Sequence, residues 1–153
     1  MIAADHFSWI IEDKIGGMPK PDCFGNLDTN LAELKSRFNI GVIINLTEEN
    51  LDKFTVNNAG IEYHHIPIAD FSPPTMQQLL EFKGIYEAAS SPIAVHCFAG
   101  MGRTGTFLAV ALVLEGYSPE SAIKQVRHKR PGSIENDEQE ESIFEFYEMT
   151  KRK

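Results

Sequence analysis

Cys97 and Arg103 stand with five residues between them in the stretch His96-Cys97-Phe98-Ala99-Gly100-Met101-Gly102-Arg103-Thr104-Gly105. A short apolar run, Ile93-Ala94-Val95, precedes this stretch, and a long apolar segment, residues 106–114, follows it. The length and alanines of that segment suit a buried helix better than a strand. The expected order is strand, Gly-bearing loop, helix. Such an order gathers free backbone N–H groups into one concavity that favours an anion. A thiol at a helix N-terminus and beside a guanidinium ionises in the range of roughly 3.5–7.5 rather than at ~8.5, so Cys97 is expected to be a nucleophile at neutral pH. Arg103 offers a planar fork that fits two oxygens of a phosphoryl group. The backbone from Phe98 through Ala99, Gly100, Met101 and Gly102 to Arg103 would line the cradle.

A single Cys after an apolar strand is commonly a small core residue, and a single Arg is commonly a solvated charge. The combination is far rarer. At residue frequencies of about 5% each, H-C-x-x-G-x-x-R-[ST]-G starts at a given position with odds on the order of 10⁻⁸ to 10⁻⁷, so coincidence is set aside. A second stretch with chemical content is Ile66-Pro67-Ile68-Ala69-Asp70-Phe71-Ser72-Pro73-Pro74. Three prolines stiffen a loop carrying one acid, Asp70. Cleaving a phosphate ester needs a proton for the leaving oxygen, and a carboxylic acid beside the cradle can supply it. By its residues alone Asp70 reads first as a turn former, and Asp52 is a weaker candidate for the acid.

The elements that must hold these residues are legible from periodicity and breakers. Phe7-Ser8-Trp9-Ile10-Ile11 and Lys14-Ile15-Gly16-Gly17 suggest one or two short strands, with Trp9 in a packing role. Leu27, Leu31, Leu34 and Phe38 recur at helical spacing, with Gly41 expected to end that helix. Val42-Ile43-Ile44-Asn45-Leu46 has the pattern of a strand covered on both faces, and residues 61–66 form another strand. His64 and His65 then point to opposite sides and cannot chelate one metal together. Thr75-x-x-Gln78 is a capping box opening a helix with Met76, Leu79, Phe82 and Tyr86 inward. Ser118-Pro119 opens a further helix through Lys129, and Gly116 stops the helix before it. The basic run Arg127-His128-Lys129-Arg130 suits a helix C-terminus and could also line a substrate approach. The last helix spans 137 to about 151, with acids first, Ile143, Phe146 and Tyr147 buried, and Lys151-Arg152-Lys153 at its end. The result is an α/β fold with a central, mostly parallel sheet of four or five strands flanked by helices.

With 153 residues and 42% hydrophobic content, residues 1–153 are expected to form a single catalytic domain. Two cysteines, Cys23 and Cys97, make no disulfide framework. Residues 1–6 carry neither a basic region nor an apolar core, so a cytoplasmic protein without a membrane span is expected. A net charge of −8 disfavours nucleic acid and anionic membranes as partners, because both need a broad positive surface. Neither a metal nor a cofactor is required, and a monomer is expected.

The signature stretch resembles that of the cysteine-dependent protein phosphatases, and the chain as a whole is similar to the small atypical dual-specificity phosphatases. The resemblance runs from Phe7-Ser8-Trp9-Ile10 through Asn45-Leu46-Thr47-Glu48 and residues 66–71 to Arg130-Pro131-Gly132-Ser133-Ile134-Glu135. It implies the phosphotyrosine protein phosphatase-like fold and hydrolysis of phosphotyrosine, with phosphoserine and phosphothreonine, in phosphoprotein or phosphopeptide partners through a phosphocysteine. It implies Cys97 as nucleophile, Asp70 as the acid, Thr104 as a hydroxyl donor to the sulfur, and His96 as a support for the loop. Glu135 and Gln139 both match the region that positions the hydrolytic water, and the choice between them stays open. Two other classes also stay open. One is a phosphoprotein-binding module without turnover, against which Cys97, Arg103 and Asp70 together argue. The other is a thiol redox or arsenate-reducing enzyme, for which Cys23 is the available resolving thiol and nothing in its spacing speaks.

Overall fold

Val42–Asn45 and Ile93–His96 are buried at every position, and they lie side by side at the centre of one sheet. In the computed structural model, which describes residues 3–23 and 25–151, the strands are β1 (Ser8–Ile11), β2 (Ile15–Met18), β3 (Val42–Asn45), β4 (Glu62–His65) and β5 (Ile93–His96). Their order is β1-β2-β5-β3-β4. β2, β5, β3 and β4 run parallel, and β1 closes the edge antiparallel to β2. Met1 and Ile2, from the N-terminal reading, and Arg152 and Lys153, from the basic end of the last helix, lie outside the described residues.

The period of two along the central strands sorts the core into two layers. Val42, Ile44, Ile93 and Val95 face one cluster, and Ile43 and Ala94 face the other. The first layer is covered by α3 (Met76–Ala88), α4 (Gly102–Leu114), α5 (Pro119–Lys129) and α6 (Asp137–Lys151); the second by α1 (Leu27–Phe38) and α2 (Lys53–Asn58). Each expected stripe is where helical spacing places it: Leu31 and Leu34 on α1, Leu79, Phe82 and Tyr86 on α3, Ile143 and Phe146 on α6. Trp9 packs edge-on against Phe7 and Phe38. Helix α4 is buried along nearly its whole length, which explains its unbroken apolar sequence.

Two boundaries differ from expectation. Helix α1 ends at Asn39, not Gly41: Asn39 adopts φ 58° and its N–H bonds the Leu34 and Lys35 carbonyls. Asparagine tolerates this left-handed conformation better than other side-chain-bearing residues, so it can serve where glycine was expected. Helix α4 begins inside the signature, at Gly102, and Arg103, Thr104 and Gly105 form its first turn.

Candidate active site

β5 delivers Cys97 at its carboxyl end from between β2 and β3, where ligands gather in open α/β sheets. The loop that follows is pinned to both neighbours. Lys20 N–H donates to Phe98 O at 3.0 Å, and Leu46 N–H to His96 O at 2.8 Å. Gly100 has φ +80°, and a Cβ there would stand 2.7 Å from the Met18 carbonyl oxygen, so the chain passes β2 too closely for any side chain. Arg130 holds the same turn from below. Its Nη2 donates to Gly100 O at 2.6 Å, and its Nη1 to Gly17 O at 2.9 Å and Ser8 Oγ at 2.5 Å. Burial draws the Arg130 pKa down, and neighbouring Cys97 acts in the opposite sense.

The N-terminus of α4 is left open to an anion. Asn26, Asp52, Thr75 and Ser118 cap α1, α2, α3 and α5 with side-chain oxygens, whereas Met101 provides no side-chain cap for α4. First-turn N–H groups without such a cap form an anion site. Over it lies Arg103, only 4% exposed. Its Nη1 donates to Ile68 O at 2.9 Å, and its Nη2 stands 3.4 Å from Asp70 Oδ1. The acid's loop is braced in turn: Phe71 N–H donates to Asp70 Oδ1 at 2.9 Å, and Asn136 Nδ2 donates to Phe71 O at 2.8 Å. Arg103, Asp70, Phe98, Lys20, Thr47 and Glu49 border a cleft of 170 Å³.

The turn before α6 completes the surround. A Cβ on Gly102 would fall 2.0 Å from Glu135 Oε1 and 3.1 Å from Gln139 Nε2, so both side chains lie against the first turn of α4. Glu135 N–H fixes Gln139 Oε1 at 2.7 Å, leaving the buried Gln139 Nε2 without a partner. That orphan is one of six among the described residues, with His96 Nε2, Arg103 Nε, Thr104 Oγ1, Arg130 Nε and Ser133 Oγ. All six belong to the loop or to residues in contact with it. Unpaired buried polar atoms cost about 1–3 kcal/mol each, and their concentration here marks a site built for something other than stability. His96 donates from Nδ1 to its neighbour Cys97 O at 3.2 Å, and complete burial pushes its pKa down to about 3, so it is neutral.

Comparison with known proteins gives this arrangement its context. Residues 16–117 match the family model described as "Tc-R-P: Polymorphic toxin system, DSP-PTPase phosphatase". The chain belongs to the dual-specificity phosphatase family. As a family member it is 33% identical over 144 residues to the dual specificity protein phosphatase CDC14C of Symphalangus syndactylus, covering 87% of this chain and 29% of that protein. It is 32% identical over 113 residues to the human protein tyrosine phosphatase type IVA 3, covering 71% and 65% respectively. The chain therefore spans about a third of the CDC14 sequence and under two thirds of the type IVA one. The crystal structure of Tk-PTP in the active form superposes with a TM-score of 0.81 at 29% identity, covering 94% of this chain and 97% of that one. The mostly parallel sheet is thus the phosphatase fold that the sequence implied.

In this member of the family Arg103 and Asp70 form an ion pair, and Cys97 opens, directly after β5, the loop that runs into Arg103 at the start of α4. Thr104 is fully buried behind them with no partner for its hydroxyl. Asp52 is the cap of α2, which accounts for its acid. His65 bonds Thr47 O and His64 bonds Glu62, each in a local role, and no cluster of three or more potential metal ligands occurs among the described residues. Cys23 is exposed, with its pKa raised by burial first and by Asp22 second. The residue that sequence reading missed is Arg130. Its place at the end of a basic helix suggested a dipole partner or a substrate contact, yet it is a buried brace. The signal was its position beside Pro131-Gly132, a turn that carries the chain straight back under the loop.

Proposed function

We propose that this chain hydrolyses phosphotyrosine, and with it phosphoserine and phosphothreonine, in proteins through a phosphocysteine intermediate. The observation that supports the reading is Asp70 held 3.4 Å from Arg103 at the uncapped start of α4, an arrangement that suits an anion with a carboxyl group beside it. In the first step the Cys97 thiolate attacks phosphorus, forming the S–P bond as the ester P–O bond breaks. The departing oxygen takes the Asp70 proton. The N–H groups from Phe98 to Arg103 and the Arg103 guanidinium stabilise charge on the three equatorial oxygens. In the second step Asp70, now a carboxylate, takes a proton from water as the water oxygen attacks phosphorus and the Cys97 thiolate leaves. Thr104 donates its unpartnered hydroxyl to the departing sulfur. Gln139, with Oε1 fixed and Nε2 free, is the better placed of the two candidates to hold that water, while Glu135 anchors Gln139 through its backbone. His96 is a neutral brace of the loop.

Every proton and electron pair in these two steps has a donor and an acceptor among the named residues. A binding module requires neither nucleophile nor acid, and the redox reading has no supporting contact between Cys23 and Cys97. The relatives named as dual specificity and protein tyrosine phosphatases support the substrate class. The test is a burst and steady-state assay on p-nitrophenyl phosphate with chelator and reductant present, comparing the native chain with Cys97→Ser. Turnover in the native chain that disappears in the variant, with phosphopeptide binding retained, is the expected result. Equal turnover in both would remove Cys97 from the chemistry.

A further inference from the structure

A second cavity, of 560 Å³, opens on the outer side of the signature loop, within the roughly 300–1,000 Å³ common for ligand sites. Pro19, Phe98, Ala99, Met101 and Pro131 supply an apolar wall, and exposed Cys23 lies at its border. Phe98 is 60% exposed and lines both this cavity and the cleft that holds Arg103 and Asp70. The two spaces therefore share one aromatic partition, and whatever reaches the larger one from the cradle is the rest of the substrate. The guanidinium on the cavity wall, Arg130, is 7% exposed, with both terminal nitrogens engaged by Ser8, Gly17 and Gly100. A second phosphate would find no free fork there. The chemistry that fits is apolar.

We propose that this cavity is a specificity subsite for one large apolar side chain, leucine, methionine or aromatic, close in sequence to the phosphorylated residue of a polypeptide substrate. The proposal rests on the phosphatase reading. Phe98 directly follows the nucleophile in sequence, and an extended peptide advances about 3.3 Å per residue, so positions within about two residues of the phosphorylated one reach past the Phe98 ring. A buried apolar side chain discriminates against a polar one by about tenfold or more in kcat/KM. Lys129, at the cavity border with its Nζ donating to Ile10 O at 3.1 Å, covers the rim with its aliphatic stem and adds a cation that a flanking acidic residue would meet.

The experiment measures kcat/KM on phosphotyrosine peptides that differ only by leucine or serine at each of the two positions before and after the phosphorylated residue, with p-nitrophenyl phosphate as the reference. It compares the native chain with Cys23→Asp, which charges the cavity, and Cys23→Trp, which fills it. The expected result is a preference for leucine of about tenfold at one or more positions, lost in both variants, while p-nitrophenyl phosphate turnover is unchanged. Equal rates on the leucine and serine peptides, or a preference untouched by both variants, would overturn the subsite while leaving the phosphatase reading intact. So would faster turnover on phosphatidylcholine vesicles carrying a phosphatidylinositol phosphate than on any peptide, lost in Cys23→Asp, since an acyl chain would then be the occupant. No turnover of p-nitrophenyl phosphate by the native chain would overturn the phosphatase reading and the subsite with it.

Discussion

Arg103 and Asp70 divide their work by the number of donors each contact needs. A guanidinium has five N–H donors; here Nη1 serves the Ile68 carbonyl, Nη2 faces Asp70, and Nε is unpartnered. The side chain can hold the acid's loop and a phosphoryl oxygen at once, whereas lysine offers a single point charge. Arg103→Lys is therefore expected to lower kcat/KM by about 10²-fold or more and to weaken phosphate binding, read by inhibition with inorganic phosphate. Asp70→Asn separates acid catalysis from binding. Phenyl phosphate, whose leaving oxygen needs the proton, should slow by about 10²–10⁴-fold, and p-nitrophenyl phosphate by far less. Equal losses on both would show that Asp70 only orders its loop. Gln139→Ala is expected to preserve the burst of nitrophenol and to slow the steady state, because the water of the second step loses its holder. A vanished burst would place Gln139 in the first step instead.

The loop after β5 keeps its shape because elements distant in sequence converge on it, and Arg130 is the clearest case. Replacing it with methionine leaves the Gly17 and Gly100 carbonyls and the Ser8 hydroxyl without their donor; at about 1–3 kcal/mol for each buried orphan, a loss of roughly 3 kcal/mol or more is expected in urea unfolding. KM should rise with it, since Gly100 would no longer be held at the cradle. Unchanged KM in a destabilised variant would confine Arg130 to folding. The same element shows where sequence reading stops. Strands β3 and β5 were readable because Val42-Ile43-Ile44 and Ile93-Ala94-Val95 are apolar on both faces, and α3 because its capping box and stripe are local signals. The position of β2 between β1 and β5 was not, because pairing across residues 15–96 leaves no local trace. Cys97 and Arg103 stood out as candidates because anion chemistry dictates their spacing, whereas Asp70 stood out only through the family resemblance, since by itself it reads as a turn former. The bracing contacts of Arg130, any preference between Glu135 and Gln139, and the Phe98 partition needed the fold, since each depends on a residue at least 30 positions away or on two cavities.

At the scale of the whole molecule, His96 links the site to acid stability. Burial lowers its pKa from 6.5 to about 3, so the unfolded chain takes up a proton that the native chain refuses. Its stabilising contribution is complete above pH 6.5 and is lost as pH falls toward 3. In His96→Asn, the drop in unfolding free energy between pH 7 and pH 4.5 should be smaller than in the native chain; equal drops would mean that His96 is not buried in its neutral form. The order of the strands carries a different consequence, one of sequence in time. Cys97 hangs from β5, which is covered by a neighbour on each edge and a helical layer on each face, whereas Asp70 is 54% exposed on a loop braced by a few contacts. Segments with few buried contacts open long before a central strand does. On warming, then, Asp70 should drift away while Cys97 stays set, and on the mechanism proposed above the protein should pass through a narrow range in which it still cleaves p-nitrophenyl phosphate but no longer phenyl phosphate, discriminating by leaving group before activity fails altogether.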